Sequence, residues 1–246
     1  MNKKSDLIYG IRPVIEVVKS GKHLERVFIQ KNLKGDLYKE LIVELHRTKV
    51  PISKVPVERI NRFTRKNHQG VVALLSPIEY QSVENLVPLL FERGESPLFL
   101  ILDEITDVRN FGAIARTAEC LGAHGIIIPV KGGAQVNEDA VRTSAGAFNY
   151  LPVCRESDLK ACISFLQKSG ISVVSCAEKT DNLLRNADFT GPTALIVGSE
   201  EKGINLSLLE QSDTICKIKM HGRIESLNVS VAVGMALYEI QMQRAK

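Results

Sequence analysis

Five short apolar runs recur from residue 98 onward: LFLIL at 98–102, GIIIP at 125–129, ISVVSC at 171–176, TALIVG at 193–198 and TICKIKM at 214–220. Helical patterns separate them, as in Leu159, Ile163 and Leu166. A strand that is apolar along its whole length leaves no wet face, so it belongs in a sheet buried on both sides. Strands alternating with helices give that sheet parallel connections. The expectation is an α/β fold with a mostly parallel sheet over 97–246.

The first part of the chain reads differently. Val14, Val17 and Val18 sit at helical spacing, RVFIQ at 26–30 reads as a buried strand, Leu37, Leu41 and Leu45 recur every four residues, and GVVALL closes the region at 70–75. This predicts a small α/β unit over residues 1–76. Between the two regions, Pro77, Pro88, Gly94 and Pro97 interrupt one apolar patch from Leu86 to Phe91, so 77–96 is expected to be a linker holding at most a turn or two of helix.

Composition narrows the function. With 44% hydrophobic and 24% charged residues in 246, the chain has material for real cores and is not a disordered tail. No apolar run approaches the ~20 residues of a membrane span, and the opening MNKKSDLIYG has two lysines without the apolar stretch of a signal peptide, so a cytoplasmic protein with no membrane partner is expected. The charge of +4 permits a nucleic-acid partner without demanding one. Arg59, Arg62, Arg65 and Lys66, ahead of His68-Gln69-Gly70, are the basic cluster to watch, although a solvated helix face would look the same. Only 5% of residues are aromatic, which argues against rows of base-stacking platforms, so a grip on RNA has to rest on shape and charge. The five cysteines are scattered, without C-x-x-C or zinc-ligand spacing, so neither a disulfide framework nor a metal site is expected.

Three segments combine a strand end, a polar or glycine turn and a helix start, where α/β proteins collect ligands. The first runs from Leu102 to Ala118; Asn110 reads as a helix N-cap, and Arg116 falls about 200° from Ile114, away from the core stripe. An exposed surface arginine is the plain alternative. The second, Leu195 to Ile204, carries Gly198, Glu200 and Gly203; it lacks the phosphate-loop pattern, and its acids suit a cationic or hydroxyl-rich ligand. The third, Ile218 to Glu239, offers Ser226 or Asn228 as a cap and then an apolar stripe of Val229, Ala232, Val233, Ala236, Leu237 and Ile240. That stripe is richer than one sheet face needs, which suggests a two-fold seam.

Taken in order, N-x-G-A-I-x-R-T at 110–117, G-x-E-x-x-G at 198–203 and S-L-N-V-S-V-A at 226–232 closely resemble the three motifs of the SpoU/TrmH family of RNA ribose 2′-O-methyltransferases. Ile8-Tyr9-Gly10 and His68-Gln69-Gly70 resemble that family's amino-terminal substrate-binding domain, in the branch acting on a guanosine of large-subunit ribosomal RNA. The resemblance implies a carboxyl-terminal trefoil-knotted domain, S-adenosylmethionine as cofactor, structured RNA as substrate and a homodimer formed through the knot region. It implies Asn110, Arg116, Glu200, Ser226 and Asn228 at the active site, and a cofactor slot around Leu195, Gly198, Ile218, Met220 and Leu227, with no metal. Val108 stands where the family usually has proline, which would loosen the turn that poses Arg109 and Asn110.

A guanidinium stays protonated in proteins, so Arg116 is read as a two-pronged clamp on an RNA phosphate and not as the base. Transfer RNA is the alternative substrate. A noncatalytic RNA-binding or ribosome-assembly protein on the same fold is the alternative function, and it would bind RNA without cofactor. A Rossmann oxidoreductase would need G-x-G-x-x-G after the first strand, where Asp103-Glu104-Ile105-Thr106-Asp107 stands instead.

Overall fold

The computed structural model describes residues 7–224 and 226–245; the opening lysines Lys3 and Lys4 lie outside the described residues. The chain forms two compact units that divide at Glu79 and Tyr80.

In the front unit, β1 (Leu7–Tyr9), α1 (Ile11–Lys19), β2 (Leu24–Gln30), α2 (Asp36–His46), β3 (Ile52–Val55), α3 (Val57–Asn61) and β4 (Val71–Leu75) follow one another. The sheet order is β1-β4-β2-β3, antiparallel except for the parallel pair β2 and β3. Neighbouring residues point to opposite faces, and the two cores show it. Ile29 and Val71 pack with Val14, Leu41 and Leu45 of α1 and α2, whereas Phe28 and Val72 pack with Val55 and Ile60 on the other side. The two motif stretches meet at the start of α1. Gln69, held at φ 51°, accepts the Ile11 N–H on its Oε1 at 3.2 Å, while the Gly10 N–H donates to the Val71 carbonyl at 3.0 Å. His68 Nδ1 accepts the Gly70 N–H, so its Nε2 carries the proton donated to Asn61 Oδ1 at 2.8 Å.

The rear unit contains β5 (Tyr80–Gln81), α4 (Val83–Glu92), β6 (Leu98–Leu102), α5 (Val108–Cys120), β7 (Gly125–Pro129), α6 (Glu138–Thr143), β8 (Val153–Glu156), α7 (Leu159–Lys168), β9 (Ser172–Cys176), β10 (Thr193–Val197), α8 (Leu206–Leu209), β11 (Thr214–Cys216) and α9 (Val229–Arg244). Its seven strands lie in the order β11-β9-β10-β6-β7-β8-β5, and every pair is parallel, as the apolar runs demand. Phe99, Ile101, Ile127, Val173 and Ile196 share one core with α4 and α7. Leu98, Leu100 and Leu102 alternate to the other face and are just as buried, on the side left for the mutually packed helices α5 and α9. Arg244 fastens the end of α9 by donating to the carbonyls of Phe189, Gly191, Ser96 and Pro97.

Three expectations need correction. The segment 77–96 is not a linker: Ser82 caps α4 by accepting the Asn85 N–H, and Val83, Val87 and Leu90 bury one face in the rear core. Pro88 sits inside this helix without ending it. Strand β8 is absent from the apolar runs because it carries Arg155 and Glu156, yet both are buried, and the Arg155 guanidinium stacks 3.5 Å from the Tyr80 ring centroid. Finally, the stripe expected as a two-fold seam is used inside the protomer, since Val229, Val233, Ala236, Leu237 and Ile240 are buried. The exposed apolar line of α9 is instead Val231, Met235, Tyr238 and Met242.

Candidate active site

Strands β6 and β10 are neighbours, but the chain continues from them in opposite directions, to β7 on one side and to β11 on the other. Crevices open beyond the carboxyl ends of strands at such a switch point. Here the loops 103–107 and 198–205 leave those ends, and a cleft of about 380 Å³ lies between them, lined by Glu104, Asp107, Asn110, Glu200, Glu201 and Lys202 among others. Four carboxylates face one lysine, and Lys202 is already paired with Glu104 at 2.8 Å. The cleft therefore favours a cation and repels a phosphate. Glu104 adopts φ 52°, a left-handed conformation that a non-glycine residue reaches only at some cost.

Helix α5 starts three residues earlier than the sequence suggested. Asp107, not Asn110, is the cap, accepting the N–H groups of Arg109 and Asn110 at 2.9 and 2.8 Å. Val108 thus occupies the first helical position, where proline is favoured but not required, and the Asp107 cap fixes the turn that its absence was expected to loosen. Aspartate caps helices as well as asparagine does, so Asp107 ahead of the helical stripe is the sequence signal for this start. Gly112 is needed for packing, since a Cβ there would stand 2.6 Å from the Ala140 carbonyl oxygen of α6.

Freed from capping, Asn110 joins a clasp that ties the three motif segments together. Glu200 Oε1 accepts from Asn228 Nδ2 at 2.8 Å, from the Val229 N–H at 3.1 Å and from Asn110 Nδ2 at 3.3 Å. Asn228 Nδ2 also reaches Asn110 Oδ1 at 3.1 Å, while its Oδ1 caps α9 by accepting the Ser230 N–H. The Glu200 carboxylate lies at the positive end of the α9 dipole, where negative charge is favoured. Beside it, Asp103 is buried and accepts the Asn205 N–H at 2.7 Å; burial pushes its carboxyl above the ordinary value, and that hydrogen bond offsets part of the effect.

Arg116 and Ser226 differ from these three. Both are exposed, and neither makes a hydrogen bond or ion pair among the described residues. The residues expected around the cofactor differ in how open they are. Leu195 has no exposed surface, being paired on both sides within β10, so it offers a ligand no contact. Gly198 is tight against its own chain: a Cβ would lie 2.1 Å from the carbonyl carbon and oxygen of Gly203, where the 198–204 turn closes back. Ile218 lines a second cleft of about 360 Å³ with Leu183, Lys217, Lys219 and His221, while Met220 and Leu227 are half-buried on the segment between β11 and α9.

A parallel α/β sheet with three chain segments clasped at its switch point defines a ligand-binding fold of the enzyme type, preceded in the chain by a separate small α/β unit. Residues 97–238 match the SpoU rRNA methylase family, and residues 7–81 match the family described as RNA 2′-O ribose methyltransferase substrate binding. The chain belongs to the SpoU family of RNA 2′-O-ribose methyltransferases. It is 35% identical to YacO of Bacillus subtilis, a TrmH family tRNA/rRNA methyltransferase by name, over 99% of this chain and 98% of that one. It is 34% identical to the 23S rRNA (guanosine-2′-O-)-methyltransferase RlmB of Yersinia pestis, over 98% of each chain. Among solved structures, the SpoU methyltransferase AviRb from Streptomyces viridochromogenes, crystallised with AdoMet, superposes with a TM-score of 0.63 at 25% identity, covering 97% of this chain and 90% of that one. Among the described residues no helix is long and apolar enough to cross a membrane.

Proposed function

We propose that this enzyme uses S-adenosylmethionine to methylate the ribose 2′-hydroxyl of a guanosine in 23S ribosomal RNA, in the cytoplasm and as a homodimer. The observation that carries the reading is the clasp at Glu200, which joins the three motif segments through one carboxylate oxygen. Relatives named RlmB, aligned over nearly the full length of both chains, support ribosomal over transfer RNA.

The residues present fit the cofactor. When bound, S-adenosylmethionine supplies an electrophilic methyl group on a sulfonium, and Glu200 and Glu201, on the turn that Gly198 opens, suit that positive charge. Gly198 and Ile218 to Leu227 would hold it, with Gly198 acting through the turn it permits and Leu195 left out. Glu200, Asn110 and Asn228 set the relative positions of the three segments, so their work is orientation. Arg116 grips the RNA phosphate beside the target ribose with two parallel donors, which aligns the 2′-hydroxyl. Ser226, whose hydroxyl makes no hydrogen bond among the described residues, orients that 2′-hydroxyl.

The front unit takes the RNA, with Arg59, Arg62, Arg65 and Lys66 at its basic edge. Arg59 lies 5.8 Å over the Phe28 ring and Lys66 the same distance over Tyr9, so part of this cluster is held in place rather than waving in solvent. The trefoil knot and the dimer come with the family, and the exposed Val231, Met235, Tyr238 and Met242 line of α9 supports a second copy packing there. The test is methyl transfer from S-adenosylmethionine to transcribed 23S and transfer RNA, followed by mapping of 2′-O-methyl positions. One modified guanosine in 23S RNA is expected; modification confined to transfer RNA, or none, overturns the substrate assignment.

A further inference from the structure

Cys176 ends β9 and Cys216 ends β11, and the parallel register sets these two residues directly opposite each other. Neighbouring strands lie about 4.8 Å apart, within the Cα separation that a disulfide spans, and paired residues send their side chains to the same face. Strand β11 is the edge of the sheet, and Cys216 is fully buried while Cys176 is partly open to solvent. Both are free thiols in this structure.

We propose that Cys176 and Cys216 form a reversible redox site, in which a peroxide oxidises the pair to a disulfide that locks the edge strand leading to Ile218. Interaction between the two sulfurs lowers the Cys176 thiol below its usual range and raises that of Cys216, which burial raises further, so Cys176 ionises first. Its thiolate attacks one oxygen of hydrogen peroxide; the S–O bond forms, the O–O bond breaks, and the departing hydroxide takes a proton to become water. The Cys216 sulfur, losing its proton, then attacks the Cys176 sulfenic acid. The S–S bond forms, the S–O bond breaks and a second water leaves. Two thiols lose two electrons in all, and one peroxide gains them.

No feature of the methyl-transfer chemistry uses either thiol, so this site stands apart from the clasp. Its position still matters, because Lys217 and Ile218 follow Cys216 directly and line the 360 Å³ cleft. Lys217 is also tied on its far side, donating its N–H to the Asn182 carbonyl and accepting the Leu184 N–H. A covalent bond to β9 would therefore pin a segment already held by its neighbour, and fraying of the sheet edge should slow.

The experiment treats the full-length protein with hydrogen peroxide, alkylates the remaining thiols after denaturation and maps peptides without reduction. Two of the five cysteines should become unavailable, recovered by dithiothreitol, with a cross-linked peptide joining Cys176 to Cys216 and slower amide exchange over 214–218. In the Cys216→Ser variant, dimedone should label a sulfenic acid at Cys176. Should that variant fail to fold, the peptide map of the parent protein decides alone. Oxidation that stops at Cys120, or that drives Cys176 to sulfinic acid while Cys216 stays alkylatable, overturns the proposal, as does a cross-link that leaves exchange over 214–218 unchanged.

Discussion

The front and rear units each bring distant motif residues together, but they use them differently. In the front unit, Gln69, Gly10 and His68 spend their donors and acceptors on their own backbone and on Asn61. In the rear unit, Asn110, Glu200 and Asn228 are spent in the same way, while Arg116 and Ser226, from the same motifs, are bonded to nothing among the described residues. A motif residue is thus not by itself a chemical residue. What separates the two is whether its polar atoms are left over after the chain has used what it needs.

The largest effect should come from cutting between the units in the wrong place. A fragment starting at residue 97 lacks α4, whose Val83, Val87 and Leu90 are buried against β6 and α7. Losing them removes roughly 2 kcal/mol per side chain, a total comparable to the whole stability of an ordinary domain. A fragment starting at residue 80 keeps them and should fold and bind S-adenosylmethionine, as calorimetry would record. Equal solubility and affinity for the two fragments would mean that α4 is not part of the rear core.

Arg116 tests the left-over side of the comparison. Arg116→Lys keeps the charge but loses the planar fork, and misplacing the ribose by about 1 Å costs on the order of 100-fold in rate. Cofactor affinity and melting temperature should stay at parental values, because the parental side chain makes no hydrogen bond or ion pair among the described residues. Single-turnover methyl transfer from pH 6 to 10 is the measurement. A lysine variant that regains near-parental rate at high pH would make the residue a base and end the clamp reading.

Much of this was legible in the residues, and the reasons for the misses are physical. Continuous apolar runs give away β6, β7, β9 and β10, because burial on both faces leaves no place for polar residues. Strand β8 hides behind Arg155 and Glu156, whose burial depends on partners such as Tyr80 far away in sequence. Helix α4 hides behind Pro88. The clasp could be anticipated only as three segments sharing a site; no spacing rule says that one oxygen of Glu200 would accept from all of them. The resemblance puts Gly198 in the cofactor slot, whereas the atoms that require a glycine there are those of Gly203, brought there by a turn closing on itself.

Gln69 tests the spent side. Its Oε1 satisfies the first N–H of α1, where Gly10 provides no side-chain cap, so Gln69→Ala should cost about 1 kcal/mol. Hydrogen exchange in α1 should speed up about fivefold, with cofactor binding by the rear unit untouched. RNA affinity lost without any change in α1 exchange would instead put Gln69 in contact with substrate.

Asp103 gives the smallest effect and the sharpest sign. It is a carboxylate within the candidate site whose oxygen is spent internally, on the Asn205 N–H, in a buried setting. Burial, the leading cause, lifts its folded-state pKa above the ordinary value of 3.8, so between those two values the native protein holds a proton that the unfolded chain has released. Stability from this group is therefore complete below the unfolded value and is lost as pH rises through the folded one. Asp103→Asn keeps an acceptor for Asn205 and removes the buried charge. The variant should be as stable as the parent or slightly more so at neutral pH, by less than about 1 kcal/mol, and its acid-range stability should lose this downward slope with rising pH. Urea midpoints collected from pH 3 to 7 would show it. A variant clearly less stable at neutral pH would mean that the Asp103 charge is wanted in the folded protein, which would move it from the spent residues to those kept for a cationic ligand.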